Sequence, residues 1–439
     1  MPENLGRLPK EPADLFTTPF LRFVRIESMA GGALLLCAVT ALVLANTRWS
    51  ASYLSFWDVR AGLSLGEIEF SRSLRHWIND ALMTLFFFLV ALELKREMVL
   101  GELRNPRLAA LPLAGALGGM IVPVALYLWL LRGGAGSNGW GTVMSTDTAF
   151  VIGCLAVLGN RVPESLRLFL LALAIFDDIG AILVVAIGYG HPFNGPPLVL
   201  AGIGIVLIAG IARFGIRSIP VYFMIGGGVW LAFDASSIHP TLTGVILGLM
   251  TPARSWISDN RLHAILDRVV AYPPGDHWSG DTIGRQDLRR AGVAAREALS
   301  PIERLEIALH PWVAFVIMPL FALANAGVVI APATFDATLA LAVFIGFVAG
   351  KPIGVLLFSA IAVKLRLALR PDDLPWSVLG AGAILTGIGF TMALFIADLA
   401  FRPDHLDTVK LSIVGASIVS AAAGLLALVY LTSRRNTQT

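Results

Sequence analysis

Ala174-Ile175-Phe176-Asp177-Asp178-Ile179-Gly180 sets two adjacent carboxylates in the middle of an apolar run that extends from about Pro163 to Gly190. They are the only formal charges between Arg167 and His191. An Asp at the centre of a membrane span costs roughly 2.5 to 3.5 kcal/mol on insertion scales, so a pair must be offset by partners, protons, water or a bound cation. The run is long enough to cross a bilayer, and the pair marks its centre as a functional site.

The rest of the chain has the same character. Of 439 residues, 56% are hydrophobic and only 14% charged, with a mean hydropathy of +0.76, too little polar surface to cover a soluble protein. The reading is an all-α, polytopic membrane protein. The net charge of +3 does not point to nucleic acid, because the basic residues are spread over short inter-span loops with no basic stripe or aromatic platform. Cys37 and Cys154 lie within apolar runs and read as small buried hydrophobes. The Pro-rich start is followed by an apolar run only from about Ser28, which does not fit a cleavable signal peptide. No phosphate-binding motif occurs, no cofactor is implied, and nothing suggests an enzyme.

Apolar stretches of span length lie near 28–46, 77–101, 107–131, 138–158, 163–189, 196–212, 217–233, 236–251, 306–329, 337–363, 376–399 and 408–431, about twelve in all. The expected organisation is a cytoplasmic N-terminal segment near 1–27, eight spans within about 28–251, a cytoplasmic loop near 252–305, four spans within about 306–431 and a short cytoplasmic tail near 432–439. With the N-terminus inside, the inner segments collect about 25 of the 33 Lys and Arg, which places both termini in the cytoplasm. Between the first two spans, alternation around Ala61-Gly62 within about 52–70 predicts a short outer β-hairpin, whose free edges suit pairing with a second copy. In the long loop, a helix is expected from Arg285 to Leu299. Asp398, near the outer end of the eleventh span, reads as interfacial, and His310-Pro311 as a helix start.

Three further spans break their apolar runs near the middle: at Ser145-Thr146-Asp147-Thr148, at Gly350-Lys351-Pro352, and at Thr386-Gly387-Ile388-Gly389-Phe390-Thr391. Residues at span centres share a depth, so Asp147, Asp177, Asp178 and Lys351 can meet near the midplane. Such a group, net negative when ionised, would hold a cation or protons. Asp177 and Asp178, about 100° apart on a helix, should have different partners, one pairing with Lys351 while the other faces the ion path. Gly387 and Gly389 weaken helix in the eleventh span and the hydroxyls of the fourth compete with its backbone bonds, so both spans are expected to be discontinuous.

Seven motifs in order, Leu92-Glu-Leu-Lys-Arg-Glu97, Ser145-Thr-Asp-Thr-Ala-Phe150, Phe176-Asp-Asp-Ile-Gly180, Leu309-His-Pro-Trp312, Phe321-Ala-Leu-Ala-Asn-Ala-Gly327, Gly350-Lys-Pro-Ile-Gly354 and Thr386-Gly-Ile-Gly-Phe-Thr391, together carry a family likeness. The chain resembles the bacterial Na⁺/H⁺ antiporter family A. The resemblance implies inverted repeats whose fourth and eleventh spans cross as unwound segments. It implies an Na⁺ and proton site at Asp178 and Asp177, with Asp178 the direct ligand, Asp177 the partner of Lys351, and Thr146 close by. Asp147 and Lys351 would balance the ends of the broken helices around Thr386, Gly387 and Gly389. Glu93, Glu97, His239, Glu306 and His310 would contribute to pH response, although Glu306-Ile307 stands where the family pattern reads Glu-His. The implied function is electrogenic exchange of Na⁺ or Li⁺ for H⁺ across the bacterial inner membrane by a homodimer. An intramembrane aspartyl protease fits less well, because its two aspartates lie on separate spans, and a passive cation channel is opposed by the intramembrane lysine.

Overall fold

The computed structural model describes residues 27–65, 68–101, 106–134, 136–188, 194–214, 219–255, 257–270, 283–330 and 335–436. The expected N-terminal segment, the end of the tail and parts of the long loop lie outside them. The chain is predominantly helical and divides into two compact units. The first comprises Met1–Met83, Pro106–His191 and Pro311–Thr439, the second Thr84–Asn105 and Pro192–His310.

Among the described residues, eight helices are long and apolar enough to cross a membrane, and ten spans result if each of two bent pairs counts as one. The remaining two of the twelve apolar stretches form the shorter helices Ile219–Ala235 and Leu242–Met250. Both predicted breaks are present. In the fourth span a 3₁₀ segment, Ser137–Met144, gives way to extended backbone and then to the α-helix Thr148–Leu158. In the eleventh, Trp376–Leu385 and Phe390–Ala400 meet at 48°.

The first unit is built by close backbone approach. A Cβ on Gly118 of the Pro106–Leu131 helix would lie 2.1 Å from the Gly354 carbonyl oxygen of the Lys351–Lys364 helix, and a Cβ on Gly354 would meet the Gly118 oxygen at the same distance. Gly180, on the Glu164–Gly188 helix, would likewise drive a Cβ to 2.2 Å from Met120 Sδ. Gly118 and Gly354 bring two helices together backbone to backbone, and Gly180 lets the Met120 side chain lie against the third, which is how helices associate where apolar burial against lipid gives little advantage. They thereby hold the mid-span residues of the Glu164–Gly188 and Lys351–Lys364 helices at short range.

Three expectations are corrected. The outer hairpin pairs Arg60–Leu65 with Ile68–Ser73, with Ala61 opposite Arg72 and Leu65 opposite Ile68, so Ala61-Gly62 lies within a strand and not at the turn. The preceding Ser50–Trp57 is helical; the apparent alternation there also satisfies i,i+4 spacing, and Tyr53 packs edge-on against Trp57 at 6.1 Å. Second, the helix of the ninth span starts at Pro301, not near His310. Ser300 N donates to Glu303 Oε2 at 2.9 Å and Glu303 N to Ser300 Oγ at 3.3 Å, a reciprocal cap that, with Pro301 as the first helical residue, fixes that start. Pro311 sits inside the helix, and the π-helical turn Val313–Ile317 follows it. Third, the long loop carries two helices, Asp259–Val270 and Ile283–Ala298, of which only the second was expected.

Candidate ion site at the crossing of two broken helices

Ser-Thr-Asp at 145–147 offers three side chains that compete for backbone partners, and the helix stops there. Asp147 begins the next half-helix as its cap: Oδ1 accepts from Phe150 N at 3.0 Å. Its other oxygen, Oδ2, accepts from Thr391 N at 2.9 Å and from Thr391 Oγ1 at 2.5 Å, at the start of Phe390–Ala400. One carboxylate thus caps the N-termini of half-helices in two different spans. The breaks also touch through backbone, Asp147 N donating to the Ile388 carbonyl at 2.7 Å. Gly387 and Gly389 are required by space: a Cβ on Gly387 would lie 2.6 Å from the Phe347 oxygen, and one on Gly389 would lie 2.2 Å from the Phe347 ring.

Asp177 and Asp178 project from Glu164–Gly188 toward this crossing, 1% and 2% exposed. Being consecutive on a helix, they take different partners. Asp177 Oδ2 accepts from Lys351 Nζ at 2.7 Å and lies 2.5 Å from Thr146 Oγ1. Asp178 Oδ2 accepts from Thr148 Oγ1 at 3.2 Å. Asp177 Oδ1 is buried and accepts no hydrogen bond among the described residues. Lys351, itself fully buried, follows a π-helical turn, Gly346–Gly350, that resets the phase of its helix.

The Lys351 ammonium also donates to Thr146 Oγ1 at 2.5 Å. Thr146 Oγ1 in turn lies 3.1 Å from the Thr386 carbonyl oxygen. Among the described residues Lys351 donates to these side chains and to no helix-terminal carbonyl. Its contact with the C-terminal end of Trp376–Leu385 therefore runs through a hydroxyl. Having one proton, that hydroxyl can donate to either Asp177 or Thr386 but not to both.

The charges can be counted. Each half-helix N-terminus is equivalent to roughly +0.5 charge, so the two ends on Asp147 offset about one carboxylate. The two segments that end at the same crossing, at Met144 and Leu385, bring roughly −0.5 each, so three carboxylates against the Lys351 ammonium leave the cluster about two negative charges for a cation or protons. Neither Thr148 nor Thr391 was singled out from the sequence. The signal available was register: a hydroxyl directly after Asp147 on the half-helix, and one at the first turn of the other.

The other predicted residues lie in the second unit. Arg96 Nη1 contacts Glu306 Oε1 at 2.5 Å and Nη2 contacts Glu97 Oε1 at 3.0 Å. Glu93 is one turn before Glu97 on the same helix and half-buried, and Glu306 Oε2 is buried without a hydrogen bond among the described residues. His310, one turn beyond Glu306, is exposed. His239 lies before Leu242–Met250, with Nδ1 2.7 Å from Thr241 Oγ1.

The chain matches the model of the family described as Na⁺/H⁺ antiporter 1 over residues 21–428. It is 67% identical, over 99% of each chain, to a protein of Rhizobium meliloti (strain 1021) named Na(+)/H(+) antiporter NhaA. Over 96% of this chain and 94% of the relative it is 57% identical to Na(+)/H(+) antiporter NhaA 2 of Acidiphilium cryptum (strain JF-5). A Myxococcus xanthus (strain DK1622) relative, also named Na(+)/H(+) antiporter NhaA 2, is 44% identical over 93% of this chain and 88% of its own length.

Proposed function

This chain is a multi-pass membrane protein belonging to the Na⁺/H⁺ antiporter 1 family, and from that premise we propose that it exchanges Na⁺ or Li⁺ for protons at the Asp177–Asp178 pair. The observation that carries the reading is the charge left over at the crossing: Asp147 caps two helix ends and Lys351 pairs with Asp177, yet the three carboxylates outnumber the positive groups and leave net negative charge for a cation or protons to balance. Asp178 is the direct cation ligand. Asp177 Oδ1 is a buried acceptor that a proton or cation would satisfy. Thr146 tunes Asp177 by giving or withholding its one proton.

Cation and protons compete for these carboxylates, and competition is the coupling. If both aspartates protonate for each cation carried, charge moves with every cycle and the membrane potential drives sodium out. The Lys and Arg distribution places both termini and residues 252–305 in the cytoplasm, with the membrane being the bacterial inner membrane. Arg96, Glu97 and Glu306, with Glu93, His239 and His310, adjust activity to pH. The outer hairpin pairs two copies into a homodimer.

The test is proton movement in everted membrane vesicles energised to acidify their lumen. Addition of Na⁺ or Li⁺, but not K⁺, should collapse the pH gradient. Sodium uptake without proton efflux would replace the reading by a passive channel, and no response to either cation would remove it.

A further inference from the structure

Asp398, near the end of the eleventh span, is largely buried and paired. Its side chain is 14% exposed, and Oδ1 lies 2.6 Å from Lys410 Nζ, whose own side chain is 4% exposed. Oδ2 accepts from Asn79 Nδ2 at 3.4 Å. Asn79 exchanges amide hydrogen bonds with Asn325, at 2.7 and 3.3 Å, and Asn325 Nδ2 also donates to the Phe321 carbonyl at 3.1 Å. The four residues come from the C-terminal end of Phe390–Ala400, the first turns of Pro403–Asn436, the π-helical turn Trp77–Leu82 and the end of Met318–Asn325.

Phe390–Ala400 is the half-helix whose N-terminus Asp147 caps. It is therefore held by charge at both ends: at the crossing by Asp147, and at its far end by Lys410. Between the two clamps Leu394, Ile396 and Ala397 are fully buried. A buried ion pair is a costly way to stabilise a fold, since an apolar pair of similar volume is often as good; its attested uses include registry and switching. It does provide two discrete states, because a half-helix that leaves Lys410 must re-solvate both charges.

We propose that Asp398 and Lys410, braced by Asn79 and Asn325, form a latch that positions the half-helix and keeps its outer end closed. This deepens the antiport reading and rests on it for direction: the latch lies on the outer side by the charge rule, and its release opens the ion site outward. Asp398 and Lys410 are positioning residues, acting on the site through the half-helix that carries Thr391.

The experiment uses the full chain with Cys37 and Cys154 replaced by Ser and a reporter, Ala397→Cys, in intact cells. Asp398→Asn or Lys410→Met should speed labelling of the reporter by a membrane-impermeant maleimide about threefold or more. The same change should raise the KM for cytoplasmic Na⁺ in everted vesicles by a like factor, because the inward-facing fraction falls. The charge swap, Asp398→Lys with Lys410→Asp, should return both readouts toward the parent. Unchanged labelling in the single variants, or a swap that labels as fast as they do, would overturn the latch. If Asp398→Asn does not fold, Asn79→Ala, which removes only the bracing amide, should still accelerate labelling, and no acceleration counts equally against the proposal. Labelling does not require exchange, so a parent protein lacking Na⁺/H⁺ exchange would remove the functional reading without bearing on the latch.

Discussion

Lys351 shows what one residue does at this depth. Its ammonium and Asp177 are both fully buried, and removing one partner of such a pair leaves an uncompensated charge at a cost of about 3–5 kcal/mol. Lys351→Ala is therefore expected to lower the thermal transition of the purified protein sharply. Lys351→Arg keeps the charge and most of the stability, and separates two roles, because a guanidinium does not deprotonate in a protein. A structural lysine predicts potential-sensitive exchange by Lys351→Arg in proteoliposomes. Exchange retained without potential sensitivity would make Lys351 a proton carrier. That Asp177 and Lys351 meet was legible in the sequence, since charges at the centres of apolar runs share a depth. What was not legible is how they meet. Lys351 reaches the half-helix end through the Thr146 hydroxyl, a contact set by χ angles and by the π-helical turn before it, neither of which leaves a spacing pattern.

The element that organises the site is the pair of half-helices beginning at Thr148 and Phe390, both capped by Asp147. Asp147→Asn keeps one acceptor oxygen where the parent has two, so one N-terminus loses its cap and both lose the charge. A cap is worth about 1 kcal/mol and a buried unsatisfied donor about 1–3 kcal/mol more. Thermal unfolding should show a loss of that order, with exchange reduced and not abolished. A variant as stable as the parent would mean that Asp147 does not hold the two ends together. The breaks themselves could be read from Ser145-Thr-Asp147 and from the glycines at 387 and 389, because polar competition and missing side chains both weaken helix. The reason for glycine could not be read: it is the approach of the Phe347 carbonyl and ring, long-range contacts that only the fold supplies. Ser300-Pro-Ile-Glu303 is the opposite case, since Ser followed by Pro and then Glu at the third position is a helix start legible in the sequence itself.

For the whole molecule, sequence hydropathy marks twelve apolar stretches, and each overlaps a described helix or bent pair, two of them with the shorter helices Ile219–Ala235 and Leu242–Met250. The hairpin between the first two spans is where assembly is proposed. A two-stranded sheet is marginal on its own, and its outer edges present unpaired backbone groups to a second copy. Val59 and Leu74 already meet, Leu74 N donating to the Val59 carbonyl at 3.0 Å. Residues 60–73 can therefore be excised while leaving Ser50–Trp57, whose Tyr53 hydroxyl donates to the Leu323 carbonyl, in place. The excised protein should run as a monomer on native gels and still exchange Na⁺ for H⁺. An unchanged dimer population would move the interface elsewhere.

Competition between Na⁺ and protons for the same buried carboxylates is tested most directly by proton release on binding. Purified protein in weakly buffered detergent solution, containing a pH indicator, is titrated with Na⁺ and, in parallel, with K⁺. Na⁺ should release more than one proton for each cation bound, K⁺ should release none, and Asp178→Asn, folded to the same thermal transition, should release none with either. Saturable Na⁺ binding with no proton release by the parent protein, or release undiminished in Asp178→Asn, would contradict it.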